Sequence, residues 1–177
     1  MSEQLNTKNV STPQITVEAL LEDDHHRIDQ MYDDVLQAVL KEKPPMSQKL
    51  LFKLFKSGLL RHVHWEEKIL FPLYEELRNE QMAAEEPASE AAGEEVVVDD
   101  MKHTQLLREQ HAEIEQHLDD LESDLSDGME ASALQLLGEL LKHHNDYEER
   151  TLYPAFEALN SAEMKEKLVV AISRGFK

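Results

Sequence analysis

The chain contains no cysteine. Disulfides, thiolate zinc sites and iron–sulfur ligation are therefore excluded, and the redox compartment leaves no mark on the sequence. Glycine and proline are scarce, at five and six residues in 177, which argues against a loop-rich all-β fold. Basic residues number 18 against 37 acidic ones. The formal charge of −19 argues against electrostatic capture of nucleic acid or of an anionic membrane, and suits a solvated, soluble surface. No apolar run approaches a transmembrane span, and the opening Met1-Ser2-Glu3-Gln4-Leu5 has no apolar signal core, so a cytoplasmic location is the expectation.

What is present is helical in character. Leu, Glu, Lys, Ala and Gln dominate, and a hydrophobic fraction of 41% over 177 residues is enough for one domain with a core. Residues 1–15 are polar and aperiodic and read as a flexible N-terminal arm. A first helix is expected from Thr16, as N-cap, to about Lys41, where Lys43-Pro44-Pro45 stops it. Ser47 is the expected cap of a second helix reaching about Asn79. The stretch 80–100, rich in Glu and Ala with Pro87 and Gly93, reads as a flexible link between two halves. A third helix is expected from about Asp100 to Leu125, ended by Ser126-Asp127-Gly128, and a fourth from about Glu130 to Leu159. Residues 161–177 would form a short C-terminal helix and tail. The expected fold is all-α: an up-down-up-down four-helix bundle over 16–160, built from a duplicated helical hairpin.

The duplication is explicit in two segments. His62-Val63-His64-Trp65-Glu66-Glu67-Lys68-Ile69-Leu70-Phe71-Pro72 and His144-Asn145-Asp146-Tyr147-Glu148-Glu149-Arg150-Thr151-Leu152-Tyr153-Pro154 both fit His-x-x-x-Glu-Glu-(Lys/Arg)-x-Leu-aromatic-Pro. Each has an upstream counterpart in which His25 aligns with His111, Ile28 with Ile114 and Asp29 with Glu115. A His and a Glu four residues apart share one helix face, and both are metal ligands.

The apolar stripes place these residues inward. On the first helix the stripe is Leu21, His25, Ile28, Tyr32, Val35 and Val39; on the third it is Leu107, His111, Ile114, Leu118, Leu121 and Leu125. The second carries Phe55, Leu59, His62, Glu66, Ile69 and Leu73, and the fourth Leu137, Leu141, His144, Glu148, Leu152, Ala155 and Leu159. Six polar residues thus interrupt apolar seams: His25, His62, Glu66, His111, His144 and Glu148. A single such histidine is more often a hydrogen-bonded core residue than a ligand. Six in register across two halves, two of them carboxylates that are costly to bury alone, point to a metal site in the bundle core. Imidazole and carboxylate donors without sulfur suit Fe, Mn or Zn. A ferritin-like site is disfavoured because Glu-x-x-His occurs before His25 only, with Arg108 at the matching place before His111; no His-Glu-x-x-His of a zincin occurs. His26, His64 and His143 point away from the seams, His103 falls near a helix start, and His117 sits at a seam edge. Pro72 and Pro154 fall late in their helices, where each removes a hydrogen bond and bends the chain.

With these motifs, residues 18–160 resemble the hemerythrin-like family, also called the HHE cation-binding domain. The resemblance rests on His25, His62-x-x-x-Glu66, His111 and His144-x-x-x-Glu148, with the Glu-Glu-x-x-Leu-aromatic-Pro tails. It implies a centre of two non-haem Fe ions bridged by carboxylates and an oxo or hydroxo group, with a small diatomic or peroxide as ligand. By that likeness His25, His62, His111 and His144 are terminal ligands, and Glu66 and Glu148 bridge. Two departures separate the chain from oxygen-carrying hemerythrins. Glu115 stands where those carry a second third-helix His, and where those bridge through an Asp five residues after the fourth-helix His, this chain offers Glu148 at four and Glu149 at five. The seam favours Glu148. Asp29 and Glu115 are candidates either to complete the metal shells or to hydrogen-bond ligating imidazoles. The expected role is oxygen or oxidant sensing or iron handling through O2, peroxide or NO; the alternatives are a peroxide-decomposing, catalase-like enzyme and a structural or regulatory bundle with a single metal.

Overall fold

The computed structural model describes residues 16–84, 93–123 and 129–159, with Ala84 and 93–101 described by backbone alone. The described residues form helices and no strands. Thr16 caps helix α1 (Val17–Leu40), its side-chain oxygen accepting the Ala19 N–H at 3.1 Å. The helix closes when Glu42 enters the left-handed region, φ 49°, and the Lys43 N–H reaches back to the Ala38 carbonyl at 2.9 Å. Helix α2 (Pro45–Trp65) then starts on Pro45, at the first helical position, where a missing N–H costs nothing. Ser47 is not the cap that its type suggests: its N–H already donates to the Pro44 carbonyl at 2.8 Å, inside the first turn.

After α2 the chain does not break. A wide π-helical turn (Glu66–Leu70) leads directly into α3 (Phe71–Ala84). Helix α4 runs over Gly93–Ser123. Helix α5 (Ala131–Tyr147) repeats the pattern, passing through a second π turn (Glu148–Leu152) into α6 (Tyr153–Leu159). The described chain is thus four rods. Helix extends into both flanks of the stretch expected as a flexible link, to Ala84 and from Gly93. The expected N-terminal arm, Leu125 with the turn after it, and the C-terminal helix lie outside the described residues.

The rods pack as a helical bundle, α1 against α2 and α5, and α4 against α5 and α2. Two apolar clusters fill it. One gathers Ile28, Val35, Phe52, Phe55, Ile114 and Leu137, the other Val17, Leu21, Leu70, Phe71, Leu107 and Phe156. Each fully buried side chain of this size contributes about 1.5–3 kcal/mol. On every rod the seam passes from one cluster to the other across a polar position: Leu21 to Ile28 across His25, Leu59 to Leu70 across His62 and Glu66, Leu107 to Ile114 across His111, Leu141 to Leu152 across His144 and Glu148. The six polar residues therefore form a layer between two apolar ones.

The π turns correct part of the expected stripe. In each, one extra residue closes the turn: the Phe71 N–H bonds to the Glu66 carbonyl and the Tyr153 N–H to the Glu148 carbonyl, five residues back. Beyond the turn the buried face slips by a residue. Ile69, expected in the core, is 37% exposed, and Leu70, Phe71 and Tyr74 are buried instead. Leu73, Ala155 and Leu159 are only partly buried, while Tyr153 and Phe156 take the inner face. Pro72 and Pro154 follow each turn by two residues; lacking an N–H, they tolerate a helix already opened ahead of them.

No helix among the described residues is long and apolar enough to cross a membrane.

At Gly138 on α5 the side chain of Tyr32 lies where a β-carbon would stand, its hydroxyl donating to the Leu134 carbonyl at 2.9 Å. Alanine there gains about 1 kcal/mol of helix propensity but collides with the ring. Gly138→Ala is expected to lower stability by a net of about 1 kcal/mol or more in chemical denaturation; an unchanged or raised midpoint would show that Tyr32 simply swings aside.

Candidate metal centre

Every residue of the polar layer is nearly inaccessible: Glu66 and Glu148 are 0% exposed, and His25, His62, His111 and His144 are at most 2% exposed. They form two groups, His25 with His62 and His111 with His144, and each group includes both Glu66 and Glu148. Within each group the donor atoms lie within 4.8 Å of one another. The two carboxylates are thus shared between two clusters, the relation that bridging requires.

The short contacts have a common length. Nε2 of His25 faces Nε2 of His62 at 3.1 Å, and Nε2 of His111 faces Nε2 of His144 at 3.1 Å. His62 and His111 lie 3.3 Å from Glu66, His144 lies 3.3 Å from Glu148, and His25 lies 3.4 Å from Glu148. Two donors each about 2.1 Å from one ion and at right angles are about 3.0 Å apart. The separations are therefore close to the edges of a coordination polyhedron.

The outer nitrogens explain why the inner ones face inward. His25 Nδ1 meets Glu149 Oε1 at 2.8 Å, His62 Nδ1 meets Asp24 Oδ2 at 3.0 Å, His111 Nδ1 meets Glu67 Oε1 at 3.1 Å, and His144 Nδ1 meets Gln110 Oε1 at 3.0 Å. All four acceptors take the Nδ1 proton, which leaves the Nε2 lone pairs pointing at each other. Facing lone pairs at 3.1 Å repel unless a proton or a cation lies between them. In addition, Glu66 Oε2 and Glu148 Oε1 are buried without a hydrogen bond. Two orphaned carboxylate oxygens and four convergent imidazoles fit a cation pair in chemistry as well as in spacing.

The same geometry matches a known pattern along the sequence: residues 16–156 match the model of the hemerythrin HHE cation binding domain. The chain belongs to that family. Comparison with curated proteins and with solved structures returned no match.

Within this hemerythrin-like domain, the six residues picked from the seams come together in one layer. Glu148 lies inside it, whereas the Glu149 side chain is 34% exposed and holds His25 from outside. Asp29 and Glu115 are exposed, and neither receives a hydrogen bond from these imidazoles. That role falls to Asp24, Glu67, Gln110 and Glu149. Asp24 directly precedes His25 and Gln110 directly precedes His111, while Glu67 and Glu149 each follow the buried glutamate of their half, so the pairing is present in the repeat. His26, His64 and His143 are exposed, as expected. His103 lies well inside α4, not near its start, and bonds to the Tyr147 hydroxyl.

Tyr153 was not foreseen at all, because the unbroken stripe puts it off the core face. Its hydroxyl lies 2.8 Å from Glu66 Oε1, 3.1 Å from Glu148 Oε2 and 3.2 Å from His25 Nε2, and its ring stacks on His25. The matching residue, Phe71, stacks flat on His111, and the Arg108 guanidinium lies over the Phe71 ring, 5.2 Å from its centre. A cavity of about 410 Å³, lined among others by His25, Asp29, Tyr32, Gly138 and Glu149, reaches the layer from outside on the His25 side.

Electrostatics set protons and cations in competition. Burial disfavours a charged His25, but Glu148 and Glu149 outweigh it and raise its pKa to about 9. For His62, burial is likewise outweighed, by Glu66 and Asp24, and the pKa rises to about 10. Burial pushes His144 the other way, to below its ordinary value. Glu66, despite burial, is held well below the usual range by His62 and His111. Burial and the two carboxylates push the Tyr153 phenol well up, so it keeps its proton. Raised histidine pKa values mean that their stabilisation is complete below about pH 6.5 and fades as pH rises through 9–10. Chelator-treated protein should therefore lose thermal stability between pH 8 and 10. Metal uptake at pH 7.5 should release protons, measurable by calorimetry in buffers of different ionisation enthalpy. Heats independent of buffer would show that His25 and His62 are already neutral.

Proposed function

We propose that the layer holds two iron ions, one between His25 and His62 and the other between His111 and His144, bridged by Glu66 and Glu148. The observation that carries this reading is the pair of donor groups sharing both carboxylates, each with two imidazole Nε2 atoms facing one another at 3.1 Å. We place the four rods in up-down-up-down order, since the order of the two apolar clusters along α1 is the reverse of that along α2. Iron in this centre would supply an open coordination position and electrons for a small ligand: O2, peroxide or NO. The residues around it do the rest. The apolar layers above and below exclude water. The cavity by His25 and Glu149 lies against the layer and is the side from which a small ligand would approach. Glu67, Asp24, Gln110 and Glu149 fix the ring orientations, and Tyr153 keeps a proton at Oη within reach of both carboxylates. The role that follows is oxidant or oxygen sensing, or iron handling.

A second reading, peroxide decomposition, is favoured by Tyr153 specifically. Its hydroxyl lies 2.8 Å from Glu66 and 3.1 Å from Glu148, close enough to hand a proton or a hydrogen bond to a peroxide held between the two carboxylates.

Iron-loaded protein is expected to carry two irons per chain with near-ultraviolet absorption that depends on Glu66 and Glu148. A Glu66→Ala, Glu148→Ala double variant that retained both irons and an unchanged spectrum would overturn the bridging assignment. If the centre decomposes peroxide, Tyr153→Phe should keep its iron and lose O2 evolution by about 10²-fold. Equal rates would show that Tyr153 is not the proton source, and no O2 evolution from either protein would leave binding or sensing as the function.

A further inference from the structure

The two donor groups are related by duplication, yet they are not alike. At the His62 ring the outer acceptor is the carboxylate of Asp24, at 3.0 Å. At the equivalent His144 ring it is the neutral amide of Gln110, also at 3.0 Å. Asp24 is 4% exposed, so its charge is poorly screened, and Arg27 grips its other oxygen at 2.6 Å, leaving Oδ2 aimed at His62. The first group therefore has carboxylates behind both imidazoles, Asp24 and Glu149; the second has one, Glu67. A carboxylate accepting the Nδ1 proton makes the opposite nitrogen a stronger donor than an amide does. The aromatic pair also breaks the symmetry. Tyr153 turns a hydroxyl oxygen toward His25 at 3.2 Å, while Phe71 offers His111 only a ring face. The cavity opens on the His25 side as well.

We infer that the two metal positions are inequivalent, and that the His25–His62 position binds first and more tightly, with Asp24 as the positioning residue that sets the difference. The inference rests on the two-metal reading above. It makes the His111–His144 position the weaker one, the place from which an ion is lost first.

The test uses the metal-free full chain with 15N-labelled histidine, titrated with diamagnetic Zn2+ and followed by calorimetry and by the ring-nitrogen NMR signals. Wild type should fill in two steps separated by about tenfold or more, the first perturbing His25 and His62. Asp24→Asn should weaken the first step by about 10–100-fold and leave the second in place. Because that variant also strips Arg27 of its partner, Gln110→Glu provides the converse: it should tighten the second step and bring the two together. A single step with equal sites, a first step on His111 and His144, or a Gln110→Glu variant with the wild-type separation would overturn the inference while leaving two-metal binding intact. Failure to bind Zn2+ at all would remove the two-metal reading and the inference with it.

Discussion

Two fully buried carboxylates surrounded by four inward-facing imidazoles are the constraint on which the rest of the structure depends. An isolated buried carboxylate costs several kcal/mol, and here each keeps one oxygen without a hydrogen bond. Protons on His25 and His62 offset part of that cost, and a divalent cation in each group would offset more of it. The surrounding design follows. Apolar clusters above and below keep the field strong by excluding water, and an outer ring of acceptors, Asp24, Glu67, Gln110 and Glu149, prevents the imidazoles from turning away. That each outer acceptor contacts an imidazole from a different rod ties the layer across the bundle. His25 is held by Glu149, and His111 by Glu67, so each half supports the other.

The backbone contributes through its two π turns. Both begin at a buried glutamate, so the residue offered as a bridge also carries the wide-turn carbonyl. The extra residue brings Phe71 and Tyr153 onto the inner face directly behind the layer. One half thereby gains a phenol against both carboxylates, the other a flat apolar ring, and the duplication yields a layer that is symmetric in donor residues and asymmetric in surroundings.

How much of this was legible in the sequence follows from which signals are periodic. Rods, seams and the six inward polar residues all repeat at helical spacing and recur in register, so His25, His62, Glu66, His111, His144 and Glu148 were readable without coordinates. The π turns are a local change of period, and the stripe drawn through them at constant spacing misassigned Ile69 and overlooked Tyr153. The signal was present as the aromatic-Pro pair ending each repeat, since a proline late in a helix requires the turn ahead of it to adjust. The outer acceptors were missed for a different reason. Asp24 and Gln110 are neighbours of ligand-type histidines with no periodic mark of their own, and only the packing of α1 on α2 and of α4 on α5 shows which ring each one meets. Ser47 was misread because Pro45 at the first helical position outweighs a serine two residues later.

The most direct test of the central claim is anomalous X-ray diffraction from crystals of the iron-loaded protein, recorded at the iron edge. The account predicts two peaks, one beside the Nε2 atoms of His25 and His62 and one beside those of His111 and His144, with Glu66 and Glu148 contacting both. A single peak on the axis between the groups, or iron bound only at surface carboxylates, would contradict it.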